Sequence, residues 1–148
     1  MDDNRHGTHV CGIVAAVINN NLGIAGTSQV KIMAEEALNQ SGYGYADDLA
    51  EAITHAADQG AKIIVMSWRS NSSSILLKRS IQYAYNKGVI LVAAAGNDAS
   101  SVKIYPAAYD EVIAVTIQQH SQISGTELNY PPQESQYTQY SQTTVTDT

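Results

Sequence analysis

One cysteine, Cys11, stands in the 148 residues, so no disulfide can form within the chain and a zinc site built on thiolates alone is excluded. Basic residues are scarce: 8 Lys and Arg against 14 Asp and Glu give a net charge of −6, and the eight form no run. A surface that neutralises phosphates needs clustered cations, so no nucleic-acid partner is expected. No apolar stretch approaches the roughly 20 residues that span a bilayer, so no membrane partner is expected. The opening Met1-Asp2-Asp3-Asn4 is acidic with no apolar segment behind it, and no export signal is expected at this end. Neither a GxGxxG turn after a strand nor a P-loop is present, which weighs against a nucleotide-binding domain.

What is present divides into two regimes. Residues 1–117 alternate apolar β-rich runs with amphipathic stretches, whereas residues 118–148 are Gln, Ser, Thr and Tyr with almost no aliphatic side chains. The second regime has too little apolar surface to offset chain entropy, and no element is expected in it. In the first, helical spacing runs over Thr8 to Val17, Asp47 to Asp58 and Ser74 to Asn86, with Gly60 and Gly88 placed to end the last two. Short apolar runs at Val30 to Met33, Ile63 to Met66, Val89 to Ala95 and Val112 to Val115 suit strands buried on both faces. Strand–helix–strand alternation implies an α/β fold, a parallel β-sheet with helices on both faces, incomplete at this length. Sites in such sheets gather beyond the carboxyl ends of the strands.

Two segments carry chemistry. The first is His6-Gly7-Thr8-His9-Val10-Cys11-Gly12, where an imidazole opens an apolar helix. Taken alone, His6 could simply start that helix, and a His6/His9 metal pair lacks a third ligand at a suitable spacing. The second is Val92-Ala93-Ala94-Ala95-Gly96-Asn97, a buried strand that ends on an amide, which a plain turn would also explain. The first resembles the histidine motif and the second the AAAGN segment of the subtilisin-like serine protease family, in the family's order, and the resemblance runs from His6 to about Thr116. It implies that His6 is a general base, since imidazole titrates near working pH. It implies that Asn97 donates an N–H to the oxyanion of a tetrahedral intermediate, with Ala94 and Gly96 beside the substrate. Arg5 and Cys11 depart from the motif, which usually has a small residue and Ala there.

Three more segments fit the same order. Ser41-Gly42-Tyr43-Gly44-Tyr45 resembles the edge strand that pairs with substrate backbone, which assigns Gly42, Tyr43 and Gly44 to substrate binding. Met66-Ser67-Trp68-Arg69 resembles one wall of the pocket for the residue before the scissile bond, through Ser67, Trp68 and Arg69. Trp68 and Arg69 replace Leu and Gly of the family and should narrow that pocket. The loop Ile18-Asn19-Asn20-Asn21-Leu22-Gly23-Ile24 resembles a calcium loop, using the Asn20 side chain and the carbonyls of Ile18, Leu22 and Ile24. It contains no carboxylate, and an ordinary turn fits it equally. No cofactor is required for the implied chemistry, and calcium would be structural.

The resemblance also implies an aspartate on a strand before His6 and a serine in a Gly-Thr-Ser-Met-Ala helix start. Only Asp2 and Asp3 precede His6, and they lie too close to it in sequence; Gly26-Thr27-Ser28 lacks the following Met-Ala. Degenerate codons for residues 120–148, read from each third base, permit Phe-Ser-Asn-Phe-Gly, then Leu-Ser-Ala-Pro-Gly-Val, then Ile-Tyr-Ser, as the family has after its VIAV strand. A frameshift near Thr116 to Gln119 is therefore the favoured origin of the tail, against a true low-complexity segment. The expectation is a fragment of a serine endopeptidase that is inactive as written, acting on polypeptides and secreted if it follows the family. A noncatalytic peptide-binding relative is the alternative.

Overall fold

The computed structural model describes residue 2 and residues 4–96, 101–116 and 143–147. Its elements in chain order are α1 (His6–Ala15), β1 (Lys31–Glu35), α2 (Ala46–Asp58), β2 (Ile63–Met66), α3 (Ile75–Asn86), β3 (Ile90–Ala94), β4 (Val112–Val115) and β5 (Thr143–Asp147). The sheet order is β1-β5-β2-β3-β4. β2, β3 and β4 are parallel, with Ile63 opposite Ile90 and Leu91 opposite Val112. β5 runs antiparallel to both β1 and β2, so those two strands share one direction.

The helix ends follow local chemistry. α2 closes with Ala61 N–H donating to Ala56 C=O at 3.1 Å and Gly60 N–H to Ala57 C=O at 3.4 Å. α3 repeats the pattern, with Val89 N–H to Ala84 C=O at 3.1 Å and Gly88 N–H to Tyr85 C=O at 2.9 Å. Gly60 and Gly88 have φ of 89° and 84°, as this helix termination requires. The Ser74 hydroxyl caps α3 by accepting from Leu77 N–H.

α1 begins at His6 and not at Thr8, because the Asp2 carboxylate accepts from Thr8 N–H at 2.7 Å and from Arg5 N–H at 2.8 Å. It stops at Ala15, where the returning chain supplies donors: Thr27 N–H to Ile13 C=O at 3.0 Å and Ser28 N–H to Val14 C=O at 2.9 Å. Gly26-Thr27-Ser28 thus satisfies terminal carbonyls of α1.

α2 and α3 cover one face of the sheet. Ile53 and Ile81 from the helices meet Ile64, Met66 and Leu91 from the strands, all fully buried. Each such side chain contributes about 1.5–3 kcal/mol on burial. α1 lies against β1 and β5. On the outward side of β4, Ile113 and Val115 remain 56% and 53% exposed.

The tail was expected to form no element, and β5 departs from that expectation. Its Thr-Thr-Val-Thr run is β-branched, which suits a strand, and β1 and β2 both present open hydrogen-bonding edges to it. The sheet keeps the expected parallel arrangement across β2, β3 and β4 and gains antiparallel pairings through β5. Residues 117–142 and 148, which include most of the tail and the proposed frameshift point, lie outside the described residues.

Candidate active site

Because β1, β2 and β3 point the same way, their carboxyl ends share one edge of the sheet. The segments after them carry the residues singled out in the sequence. After β1 come Gly42, Tyr43 and Gly44; after β2 come Ser67, Trp68 and Arg69; Ala94 ends β3 and Gly96 follows. Asn97 lies outside the described residues.

His6 joins this edge through its neighbours. The Asn4 side chain donates from Nδ2 to the Gln40 carbonyl at 3.0 Å, tying the start of α1 to the loop after β1. The imidazole is half-buried, and its Nε2 is buried with no hydrogen-bond partner among the described residues. Burial holds His6 below its ordinary pKa of 6.5; the adjacent His9 adds to the effect and the Asp2 carboxylate opposes it. A neutral ring with an unengaged nitrogen is the form that can accept a proton. Asp2 itself binds Thr8, through the hydroxyl at 2.6 Å as well as the N–H, and so acts as a helix cap.

The Gly42–Gly44 segment is not a strand in the structure, contrary to the expected edge strand. Asn39 explains this. Its Oδ1 accepts from Ser41 N–H at 2.9 Å and Tyr43 N–H at 3.2 Å, and its own N–H donates to Tyr43 C=O at 2.9 Å. These bonds fold the backbone into a tight loop. Tyr43 projects from it with 72% of its surface exposed. Gly44 is packed so closely that a β-carbon there would collide with the Ala37 carbonyl oxygen and Leu38 Cδ2.

A cavity of about 460 Å³ gathers Gly42, Tyr43, Gly44, Trp68 and Arg69. Trp68 is only 5% exposed and belongs to the core, so it forms a fixed wall. Sequence reasoning missed the opposite wall, Ser70 to Ser74, and the residues that hold it. Ser70 and Tyr105 exchange two backbone hydrogen bonds, at 2.8 and 2.9 Å. The buried Tyr109 hydroxyl accepts from Ser74 N–H at 3.1 Å and donates to Ser74 C=O at 3.0 Å. Both contacts span more than 30 residues, so no local pattern announces them.

The loop 18–24 takes the form of a turn, with Asn19, Asn21 and Gly23 at positive φ. Asn20 Oδ1 accepts from Leu22 N–H at 3.0 Å. Calcium takes about six to eight oxygen ligands. One amide oxygen already used within the turn, with the Ile18, Leu22 and Ile24 carbonyls, does not fit such a cage. Among the described residues no cluster of three or more His, Cys, Asp or Glu side chains could hold a metal ion, and no helix is long and apolar enough to cross a membrane.

The chain is similar to proteases along most of its described length. It is 48% identical over 116 residues to the thermophilic serine proteinase of Bacillus sp. (strain AK1), covering 78% of this chain and 29% of that protein. Thermitase of Thermoactinomyces vulgaris is also 48% identical over 116 residues, with 78% and 42% covered. This chain therefore spans less than half the length of these curated relatives. Among solved structures, the S41 psychrophilic protease superposes with a TM-score of 0.62 at 36% identity, over 74% of this chain and 40% of that one. Sphericase does so with a TM-score of 0.58 at 35% identity, over 72% and 38%. The family model described as the subtilase family matches residues 1–147, and the chain belongs to that family.

Proposed function

We propose that this chain is part of a serine endopeptidase of the subtilisin type, which hydrolyses polypeptides through an acyl-enzyme. The observation that carries the reading is the His6 imidazole, its pKa lowered by burial at the carboxyl edge of the parallel strands, with Nε2 unpartnered among the described residues. In the full reaction a serine oxygen adds to the peptide carbonyl carbon while His6 takes the serine proton. His6 then gives that proton to the departing amine as the C–N bond breaks, and water repeats the sequence to release the acid. The Asn97 side chain would donate to the oxyanion in each step. No cofactor enters this chemistry.

The 148 residues contain no Gly-Thr-Ser-Met-Ala, and Gly26-Thr27-Ser28 is engaged at the end of α1. The 148 residues as written therefore hold a base without its nucleophile and are inactive. This favours a second reading for the chain itself, a noncatalytic binder of extended peptides that keeps the groove. Relatives include an extracellular serine protease of Natrialba magadii and a minor extracellular protease of Bacillus subtilis, and secretion of the parent protein is proposed on that basis.

The test is to sequence the gene and its transcript beyond the codon for Thr116 and to express the longest open frame that results. Casein hydrolysis that His6→Ala abolishes is the expected outcome. A long frame carrying the serine motif but showing no turnover, or turnover indifferent to His6→Ala, would overturn the endopeptidase reading.

A further inference from the structure

Among the described residues β1 pairs with β5 alone and reaches the rest of the sheet only through it. On its other side β5 pairs with β2. β1 and β2 therefore stand one strand apart and run in the same direction. Each turns a row of backbone N–H and C=O groups into the gap between them, and such rows are templates for a further strand. α2 joins the two strands along the chain and touches β1 and β5. β5 is the last element in chain order, so its departure draws no other element out of the fold.

The flanks of the gap are apolar. Met33 and Ile64 stand opposite position 145, Ile32 and Ile63 opposite 146, and Ala34 and Val65 opposite 144. Ile64 is fully buried, and Met33 packs against the same core. A strand paired on both sides beneath helices normally reads as a continuous apolar run, as the Ile-Ile-Val-Met of β2 does. β5 is Thr143-Thr144-Val145-Thr146-Asp147, with one aliphatic residue in five. Its β-branched residues suit the backbone of a strand. Its polarity does not match the strands on either side, and polar groups are costly in an apolar setting.

We infer that the gap between β1 and β2 is a strand-acceptor site for an extended apolar segment of another polypeptide, with β5 its weak occupant in cis. Main-chain hydrogen bonds to both flanks hold the guest, five residues of it against β1 and four against β2, as β5 is held. Alternate side chains of the guest meet the two apolar faces, which selects Val and Ile. Proline in the middle is rejected because it cannot donate to the ladder. β5 competes as a tethered ligand at a roughly millimolar effective concentration, so the guest must pair better than β5 to displace it. None of the groove residues Gly42–Gly44 takes part, so the site stands or falls apart from the peptide-groove reading.

The test uses the full 148-residue chain and three fluorescein-labelled peptides, each flanked by Lys pairs for solubility. Their cores are Val-Ile-Val-Ile-Val, Val-Ile-Pro-Ile-Val and the β5 sequence Thr-Thr-Val-Thr-Asp. Binding is read by fluorescence anisotropy, and the shared Lys pairs cancel attraction to the acidic chain in the comparison. The first peptide should bind about tenfold tighter than either of the others, the scale of one or two buried hydrogen bonds. Hydrogen exchange in that complex should show the amides of residues 143–147 losing protection while those of β1 and β2 keep theirs. Val145→Pro removes a ladder donor from β5 and should raise affinity for the first peptide about tenfold. Circular dichroism reports whether this variant folds, and exchange on the unaltered chain decides the matter if it does not. Equal binding of the Pro peptide, or no binding of the first peptide to the unaltered chain, overturns the inference. So does binding that protects the amides of β4 and leaves those of β5 unchanged, which places the guest on the outer edge of β4.

Discussion

Asn4 Nδ2 donates to the Gln40 carbonyl at 3.0 Å, and this one bond fastens the start of the His6 helix to the loop that borders the cavity. Asp2 secures the same turn from the other side through Thr8. An exposed hydrogen bond contributes about 0.5–1.5 kcal/mol, and a helix cap about the same. Asn4→Ala and Asp2→Ala should each lower unfolding stability in urea by about 1 kcal/mol. Hydrogen exchange should accelerate at the amides of residues 6–11 and stay unchanged in α2 and α3. Uniform acceleration would show that α1 does not open independently.

Three groups with lowered pKa values shape the acid response: His6, Asp2, and Asp58, whose charged form the Lys87 ammonium and the Tyr83 hydroxyl favour. His6 has a folded pKa below its ordinary 6.5, so between those values the unfolded chain binds more protons and stability falls as pH drops below 6.5. Asp2 has a folded pKa below 3.8, because the Thr8 hydroxyl and N–H favour its charged form. Its contribution is present above 3.8 and is lost as pH falls from there towards the folded value. Urea unfolding across pH should show two descending steps. His6→Gln should remove the upper step, and Asp2→Asn should shrink the lower one, to which Asp58 also contributes.

Gly44 marks a close approach of backbone to backbone. A methyl group there meets the Ala37 carbonyl oxygen, which cannot move without displacing the end of β1. Gly44→Ala should cost about 1–3 kcal/mol, the range for overpacking. Gly12→Ala meets nothing within 4 Å and sits inside α1, so it should be neutral or slightly stabilising. Thermal unfolding of the two variants side by side checks the contrast.

The outward side chains of β4 leave an apolar strip on an edge strand. Such edges promote association. Ile113→Lys together with Val115→Lys should reduce light scattering of the purified chain at equal concentration and leave its far-ultraviolet circular dichroism intact. Unchanged scattering would place the sticky surface elsewhere.

The loop 18–24 should be indifferent to calcium, since Asn20 is committed to its own turn. Calcium added to millimolar levels is expected to leave the melting temperature unchanged. A rise of several degrees that Asn20→Ala abolishes would show that the loop rearranges into a binding site.

The sequence by itself determined the local architecture. Apolar periodicity placed α2, α3, β2 and β4 to within a residue, and Gly60 and Gly88 ended their helices as expected, because caps and periodicity act over one or two turns. It also marked His6 at the head of α1, since a motif of adjacent residues is visible without a fold. Tertiary structure alone decided what depends on distant partners. Ser41 to Tyr45 became a loop because Asn39 captured its amides. β5 entered the sheet between β1 and β2 because two open strand edges offered more hydrogen bonds than solvent-exposed chain entropy withheld. Arg69 came to lie across Gly96, beside a wall of serines pinned by Tyr105 and Tyr109, through contacts that close long loops and leave no trace in local spacing. Charge at a site is a sum over everything folded around it, and that sum exists only once the chain has closed.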